Sequence, residues 1–260
     1  MITDADLAIA AAQAGARVVR SHYGTELTRY EKSAGDFATS ADLDAEQAVL
    51  AVLRAARPDD PVVGEESGQT GNAHSHRRWL VDPLCGTLNF AVRTMLASVN
   101  VALITNSRCT AAASADPFTG EVFWTDGTAA YVRHAEQDQR LAPSAASGLV
   151  DLNLDPPFPN KEVFSAARRL ADEGFVARFR PRVVSTTLAV AWVAAGRRAA
   201  YVTDGHLQDS VHFAAGIALC EAAGCVLTGI DGQPVHTGRG GLVVAADEET
   251  HAALLGLIRG

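Results

Sequence analysis

The chain has 260 residues, of which 48% are hydrophobic and 20% charged, and its formal net charge at pH 7 is −8. A chain of this length can bury a large core, and its acidic balance argues against nucleic acid or an anionic membrane surface, which leaves small molecules or proteins as partners. The N-terminus carries the acidic residue Asp4 where a signal peptide would carry positive charge, and no apolar run approaches the roughly 20 residues that span a bilayer. We therefore expect a cytoplasmic protein.

The cysteines form no Cys-x-x-Cys pair, and four in a chain of this length are too few for a disulfide scaffold. We therefore expect reduced thiols. Three of them, Cys109, Cys220 and Cys225, are interpreted as small hydrophobic residues of the core.

The N-terminal segment predicts two helices. Thr3 can cap the first helix and Gly24 can end it, because apolar residues recur between them at helical spacing. A second helix is expected after Asp42, and it should end at Pro58. The segment from Lys32 to Ser40 is predicted to be a polar loop.

From Trp79 onward the pattern changes to short runs typical of β-strands. The expected strands are Trp79–Val81, 99–103, Thr110–Ala115, Glu121–Thr125 and Ala129–Val132. Together with the two helices they predict an α+β half with a largely antiparallel sheet.

After the proline-rich stretch Pro156–Pro159, predicted helices and strands alternate, which favours an α/β layer. The expected helices are Lys161–Asp172, Thr187–Ala195, Val211–Ala223 and Glu248–Ile258. The expected strands are Val176–Phe179, Ala199–Val202 and Leu242–Ala245.

One run of the sequence, from Trp79 to Phe90, is its most informative motif. It reads Trp79-Leu80-Val81-Asp82-Pro83-Leu84-Cys85-Gly86-Thr87-Leu88-Asn89-Phe90. Further motifs accompany it in a fixed order along the chain. They are Asp36/Thr39/Asp42, Gly64-Glu65-Glu66-Ser67, Asp116-Pro117, the segment from Ser185 to Gly196, Val211-His212-Phe213-Ala214-Ala215-Gly216 and Glu221-Ala222-Ala223-Gly224.

Taken together, these motifs resemble those of the inositol monophosphatase family, and their shared order makes a chance match improbable. The resemblance implies the α/β fold of that family, a layered α/β/α/β/α sandwich, with an α+β half over residues 1–145 and an α/β half over residues 146–260 in one compact unit. It also implies a divalent metal cofactor, Mg²⁺ in the family, a small-molecule phosphate substrate and a homodimer.

Two positions depart from the family pattern. Cys85 stands where the family has a metal-binding Asp, and His212 stands where its Trp-Asp-x-Ala-Ala-Gly motif has another. Both exchanges replace a hard carboxylate by a softer donor, although Mg²⁺ prefers hard oxygen ligands. Asp209 could replace a lost carboxylate, but an N-cap is the simpler interpretation.

The resemblance assigns roles to the residues that are retained. Glu65, Asp82 and the backbone carbonyl of Leu84 would form the first metal site, and Glu65 with Thr87 would orient and activate the attacking water. The backbone N–H groups of Gly86 and Thr87 would receive phosphate.

Three hypotheses explain the two exchanges. The first is a hydrolase of a sugar, cyclitol or nucleotide phosphate in which Cys85 and His212 are ligands to zinc or another transition ion. The second needs no metal: Cys85 or His212 would act as nucleophile or base in a cyclisation or isomerisation, the thiol pKa lowered by a helix N-terminus and the imidazole kept neutral by a helix dipole. The third is a non-catalytic binding protein.

Overall fold

The computed structural model describes residues 2–33, 36–72, 75–154 and 166–259. The residue contacts divide the chain into two units. Unit 1 comprises Met1–Arg140, Thr186–Leu188 and Val211–Leu219, and unit 2 comprises Leu141–Ser185, Ala189–Ser210 and Cys220–Gly260. His212, which the sequence analysis assigned to the C-terminal half, therefore belongs to unit 1.

The first helix, α1 (Asp4–His22), begins as predicted, because the Thr3 side chain accepts a hydrogen bond from the Asp6 N–H. The predicted loop after it is wrong. Its described residues form two antiparallel strands, β1 (Arg29–Ser33) and β2 (Asp36–Thr39).

The second helix, α2 (Ser40–Ala56), begins before Asp42 and not after it. Thr39 is the N-cap, and the Asp42 carboxylate accepts a hydrogen bond from the Thr39 N–H at 2.7 Å. Asp42 is therefore the third helical residue, where it closes a reciprocal capping box.

An eight-stranded sheet forms the rest of unit 1, with the strand order β10-β9-β8-β7-β6-β5-β3-β4. Only β3 and β5 pair in parallel, so the prediction of a largely antiparallel sheet is confirmed. The elements are β3 (Val62–Gly64), β4 (Gly68–Thr70), β5 (Arg77–Cys85), helix α3 (Thr87–Ala91), β6 (Ser98–Thr105), β7 (Arg108–Ala115), β8 (Val122–Thr125), β9 (Ala130–His134) and β10 (Gln137–Arg140).

Helices α1 and α2 pack against this sheet and form the main core of unit 1. Leu7 and Ile9 from α1, Val49 from α2, and Val99 and Leu103 from β6 are all buried there. Burial of apolar surface stabilises the fold by roughly 25 cal/mol per Å², so this helix-on-sheet contact contributes to the stability of unit 1.

Unit 2 contains a five-stranded sheet with the order β12-β11-β13-β15-β14. The elements are β11 (Leu149–Leu152), α4 (Ala166–Leu170), α5 (Glu173–Arg178), β12 (Arg180–Val183), α6 (Leu188–Ala194), β13 (Ala200–Thr203), α7 (Ala214–Ala223), β14 (Val226–Thr228), β15 (Leu242–Ala245) and α8 (Glu248–Arg259), of which α6 and α7 each have residues in both units. The alternation of helices and strands predicted here is confirmed.

One predicted strand of this part of the chain is wrong. Val176 lies in the helix α5, because Asp172 caps the helix and accepts a hydrogen bond from the Phe175 N–H at 2.9 Å. The side chains of Phe175 and Phe179 are four residues apart, so they lie on the same face of the helix, and both are buried. The proline-rich stretch and residues 161–165 of the predicted Lys161–Asp172 helix lie outside the described residues.

All four cysteines are free, as expected. Among the described residues, no helix combines the length and the apolar character needed to cross a bilayer.

Candidate metal centre

Strand β5 delivers two of the candidate ligands to one place. Asp82 pairs with Asn100 and Cys85 pairs with Ser98, so the register is interrupted by a bulge between Asp82 and Cys85. Pro83 lies in this bulge, where a residue without an N–H group is tolerated. Immediately after the strand, Gly86 adopts a left-handed φ of 106° and turns the chain into α3.

Asp82, Cys85 and His212, which the sequence analysis named as candidate ligands, lie close together. One donor atom from each lies within 4.8 Å of the other two. The His212 Nδ1 atom is 2.7 Å from the Asp82 Oδ2 atom and 4.0 Å from the Glu65 Oε2 atom. Asp82 and Cys85 are buried, whereas 43% of the His212 side chain is exposed. All four residues belong to unit 1.

Glu65 faces this group with an oxygen that has no hydrogen bond. Its Oε2 atom is buried and has no hydrogen-bond partner among the described residues, whereas its Oε1 atom accepts a hydrogen bond from Lys32 Nζ at 3.0 Å. Burial raises the pKa of Glu65, and repulsion by the Asp82 carboxylate raises it further. Such an orphaned carboxylate oxygen is costly unless another group binds it.

Lys32 was not recognised as a site residue from the sequence. Burial alone would lower its pKa, but the carboxylates of Glu65 and Glu66 outweigh burial and raise the pKa above its ordinary value. Lys32 Nζ donates to Glu66 Oε1 at 2.6 Å. The site therefore contains a fixed positive charge beside its acidic groups.

The expected ionisation of Cys85 and His212 is wrong in direction. Burial and the Asp82 carboxylate both raise the pKa of the Cys85 thiol. This thiol lies in the last residue of β5 and not in a helix. Burial lowers the pKa of His212, but attraction to Asp82 outweighs it and holds the pKa well above its ordinary value. Helix α7 begins only at Ala214, so the predicted helical first turn does not contain His212.

Thr87 is fixed by two acceptors at the start of α3. Its Oγ1 atom is 2.8 Å from an oxygen of the buried Asp42 and 3.1 Å from the Leu84 carbonyl oxygen. Asp42 thus caps α2 and also orients Thr87. Burial raises the pKa of Asp42, while hydrogen bonds from Thr39 and Thr87 oppose that rise.

Three further buried polar residues are linked to Cys85 by hydrogen bonds, directly or through one another, and were missed in the sequence. The Cys85 Sγ atom is 2.9 Å from Thr187 Oγ1, and Thr187 in turn contacts Asn100, which contacts Ser114. Asn100 and Ser114 are polar residues flanked on both sides by apolar residues of their strands, which is the sequence signal that could have found them.

Comparison with known proteins agrees with the motifs. A sequence model described as the inositol monophosphatase family matches residues 3–260. The chain belongs to the inositol monophosphatase family. An inositol-1-monophosphatase of Caulobacter vibrioides is 31% identical, in an alignment that covers 96% of this chain and 99% of the relative. The Nus factor SuhB of Escherichia coli K12 is 30% identical, over 87% of this chain and 85% of the relative.

Solved structures of the inositol monophosphatase family show the same fold. The extragenic suppressor protein SuhB of Bartonella henselae superimposes with a TM-score of 0.85 at 25% identity, covering 98% of this chain and 97% of that one. The IMPase of Thermotoga maritima gives a TM-score of 0.80 at 19% identity, covering 98% of both chains. The mixed α/β fold inferred from the motifs is therefore confirmed.

Membership of the inositol monophosphatase family supports a phosphatase-like hydrolase that acts on small molecules with divalent metal ions. The side chains present in this chain fit a divalent ion, because a carboxyl, a thiol and an imidazole group converge and the Glu65 Oε2 atom has no hydrogen-bond partner among the described residues. A thiolate and an imidazole suit zinc or another transition ion better than Mg²⁺.

Proposed function

We propose that this chain hydrolyses a small phosphate monoester, such as a sugar, cyclitol or nucleotide phosphate, at a centre that prefers a transition ion to Mg²⁺. The observation that carries this proposal is the convergence of Asp82, Cys85 and His212 within 4.8 Å. Glu65 would complete the ligand set through its Oε2 atom, which has no hydrogen-bond partner among the described residues and lies 4.0 Å from His212 Nδ1.

Each residue of the centre has a distinct task in this proposal. Asp82, Cys85, His212 and Glu65 would hold the ion, and the Leu84 carbonyl is a further candidate ligand. When bound, the ion supplies Lewis acidity toward a phosphoryl oxygen and toward water.

Around the ion, the protein orients and balances charge. Thr87 is held by Asp42 and directs its hydroxyl oxygen toward the incoming water, from which Glu65 accepts a proton. Lys32 balances the charge of Glu65 and Glu66. The N–H groups of Gly86 and Thr87 stay the predicted phosphate contacts.

The decisive experiment compares the metal content and the phosphatase activity of the native chain with those of two variants. Protein purified without chelator should contain stoichiometric zinc or another transition ion, and Cys85→Ser should lose it. The double variant Cys85→Asp with His212→Asp should gain Mg²⁺-dependent hydrolysis of phosphate monoesters, because two hard ligands replace two soft ones. A native protein that binds no transition ion and a double variant without Mg²⁺ response would together refute the proposal.

A second candidate function is supported by the 2.7 Å contact between His212 Nδ1 and Asp82 Oδ2. A carboxylate, an imidazole and a thiol converge here, which is an arrangement in which the carboxylate stabilises the imidazolium partner of a nucleophilic sulfur. Under this alternative, activity on a non-phosphorylated substrate would survive metal chelators and disappear in Cys85→Ser. In a non-catalytic binding protein, Cys85→Ser would change only ligand affinity.

We also propose that the chain forms a homodimer, as the family implies. Light scattering coupled to size-exclusion chromatography tests it directly, since a dimer would have twice the mass of the chain.

A further inference from the structure

The Cys85 sulfur receives two hydrogen bonds from a single residue. The Thr187 N–H donates to Cys85 Sγ at 3.3 Å, and Thr187 Oγ1 lies 2.9 Å from the same sulfur. Thr187 is buried and belongs to unit 1 together with Cys85. Two of the directions in which the sulfur can accept hydrogen bonds are therefore occupied.

The direction of the hydroxyl hydrogen follows from the residues behind Thr187. Asn100 Nδ2 donates to Thr187 Oγ1 at 2.8 Å, and Ser114 Oγ donates to Asn100 Oδ1 at 2.7 Å. An amide nitrogen can only donate, so Thr187 Oγ1 accepts from Asn100 and its one hydrogen is left for the sulfur. The chain Ser114–Asn100–Thr187 therefore ends in a donor that is aimed at Cys85.

The sheet register builds this chain into unit 1. Asp82 on β5 pairs with Asn100 on β6, and Asn100 pairs with Ser114 on β7, so the three side chains are neighbours on one face of the sheet. Asn100 and Ser114 are each only 1% exposed. Polar groups buried this deeply are costly unless their hydrogen bonds are made. In this series of hydrogen bonds, each side chain donates to the next one in the direction of the Cys85 sulfur.

We infer that Thr187, held by Asn100 and Ser114, is a positioning residue that orients the Cys85 sulfur toward Asp82 and His212 and thereby makes the centre selective for thiophilic ions. This inference rests on the proposed function for the identity of the ligand set. Its physical basis is that partners behind a metal ligand fix the ligand's orientation and tune its donor strength.

The test uses Co²⁺ as the probe ion, because a thiolate bound to Co²⁺ gives a near-ultraviolet charge-transfer band that reports the sulfur contact itself. Thr187→Val removes the hydroxyl at almost constant volume, and Thr187→Ser restores it. Thr186→Val is the matched control. Thr186 is equally buried, but its hydroxyl donates to the Cys85 carbonyl oxygen at 3.3 Å and not to the sulfur.

We expect Thr187→Val to weaken Co²⁺ binding by about 10- to 100-fold and to shift the charge-transfer band. Thr187→Ser should recover both properties, and Thr186→Val should keep both. Ser114 reaches the Cys85 sulfur only through Asn100 and Thr187, and Ser114→Ala leaves only a small space. This variant should therefore show a smaller loss of Co²⁺ affinity. Equal affinities and spectra for Thr187→Val and Thr186→Val would overturn the inference while leaving the metal centre in place.

The inference and the proposed function can fail separately. If the native protein gives no Co²⁺ charge-transfer band, the proposed metal centre fails, and methylmercury then tests the inference because it needs only one sulfur ligand. The rate of mercury addition at Cys85, followed by mass spectrometry with Cys85→Ser as the blank, should be lower in Thr187→Val than in Thr186→Val. Equal rates would refute the positioning role.

Discussion

At the scale of single residues, Glu65 is the carboxylate on which most of the proposed chemistry depends. It offers one oxygen to Lys32 and leaves the other toward Asp82 and His212. We expect Glu65→Gln to lower kcat for phosphate monoester hydrolysis by about 10²- to 10⁴-fold, because an amide neither accepts a proton from water nor holds a metal as a carboxylate does.

The neighbouring Glu66→Gln is the matched control for this substitution. Glu66 also pairs with Lys32, but it is outside the group of converging donors. The Glu66→Gln variant should therefore retain most of the phosphatase activity. Equal losses in the two variants would mean that the charge around Lys32 matters and that Glu65 has no special role.

Asp204 gives a second prediction at this scale, one that concerns stability. The residue is 4% exposed, and burial raises the pKa of its carboxyl to about 6. The unfolded chain has the ordinary, lower pKa, so the folded state loses stability as the pH rises from about 4 through 6 and the carboxyl must ionise while buried.

Asp204→Asn removes this cost. The free energy of unfolding at pH 7 should rise by about 1–3 kcal/mol in the variant and should be nearly unchanged at pH 4. Urea unfolding at the two pH values measures the difference. A variant that is destabilised equally at both would show that the carboxylate makes a favourable contact in the fold.

The candidate site could be predicted from the sequence as far as its motifs extend. Asp82, Cys85 and His212 were named from short patterns, and the structure brings them together. Thr187 and Lys32 were missed, because their roles arise only from contacts between distant parts of the chain. The pKa directions of the thiol and the imidazole were wrong for the same reason, since burial together with Asp82 raises the pKa of Cys85 and the attraction of Asp82 raises the pKa of His212.

At the scale of elements, the close packing of α1 against α2 and β6 depends on Gly15. A Cβ atom at this position would lie 2.8 Å from Val49 Cγ2 and 2.9 Å from Val99 Cγ1, which is closer than carbon atoms can pack. We expect Gly15→Ala to lower the free energy of unfolding by about 1–3 kcal/mol, the usual cost of overpacking. Thermal or urea unfolding measures it.

Gly256 in α8 provides the opposite control. A Cβ atom there would meet nothing within 4 Å, so Gly256→Ala should stabilise the protein by about 0.5–1 kcal/mol through helix propensity alone. If Gly15→Ala were also stabilising, the helices would have to separate at little cost, contrary to the close packing of this core.

The length of an element and the regularity of its pattern explain which elements could be predicted from the sequence. Long periodic elements such as α1 and α8, and the apolar strand β15, were predicted near their observed bounds. The three-residue strands β3, β4 and β14 were not, because three residues are too few to establish a period. Helix α5 was mistaken for a strand, since its cap and its two phenylalanines outweigh the β-propensity of Val176.

At the scale of the whole molecule, unit 1 is assembled from separate parts of the chain. Its first 140 residues are joined by Thr186–Leu188 and by Val211–Leu219, which carries His212. The proposed ligands therefore connect strand β5 to a segment more than a hundred residues later, since Asp82 and His212 are 130 positions apart. An ion that binds only this arrangement must stabilise the folded state of unit 1.

We therefore expect Zn²⁺ at about 100 times its dissociation constant to raise the free energy of unfolding of unit 1 by about 2.7 kcal/mol, with a much smaller effect from equal Mg²⁺. Tryptophan fluorescence can follow this unit in a Trp192→Phe background, because the remaining tryptophans, Trp79 and Trp124, both belong to unit 1. A chelator should reverse the shift and Cys85→Ser should abolish most of it. Equal stabilisation of Cys85→Ser would place the ion elsewhere, and equal stabilisation by Mg²⁺ would show that the exchanged ligands do not set the preference for the metal.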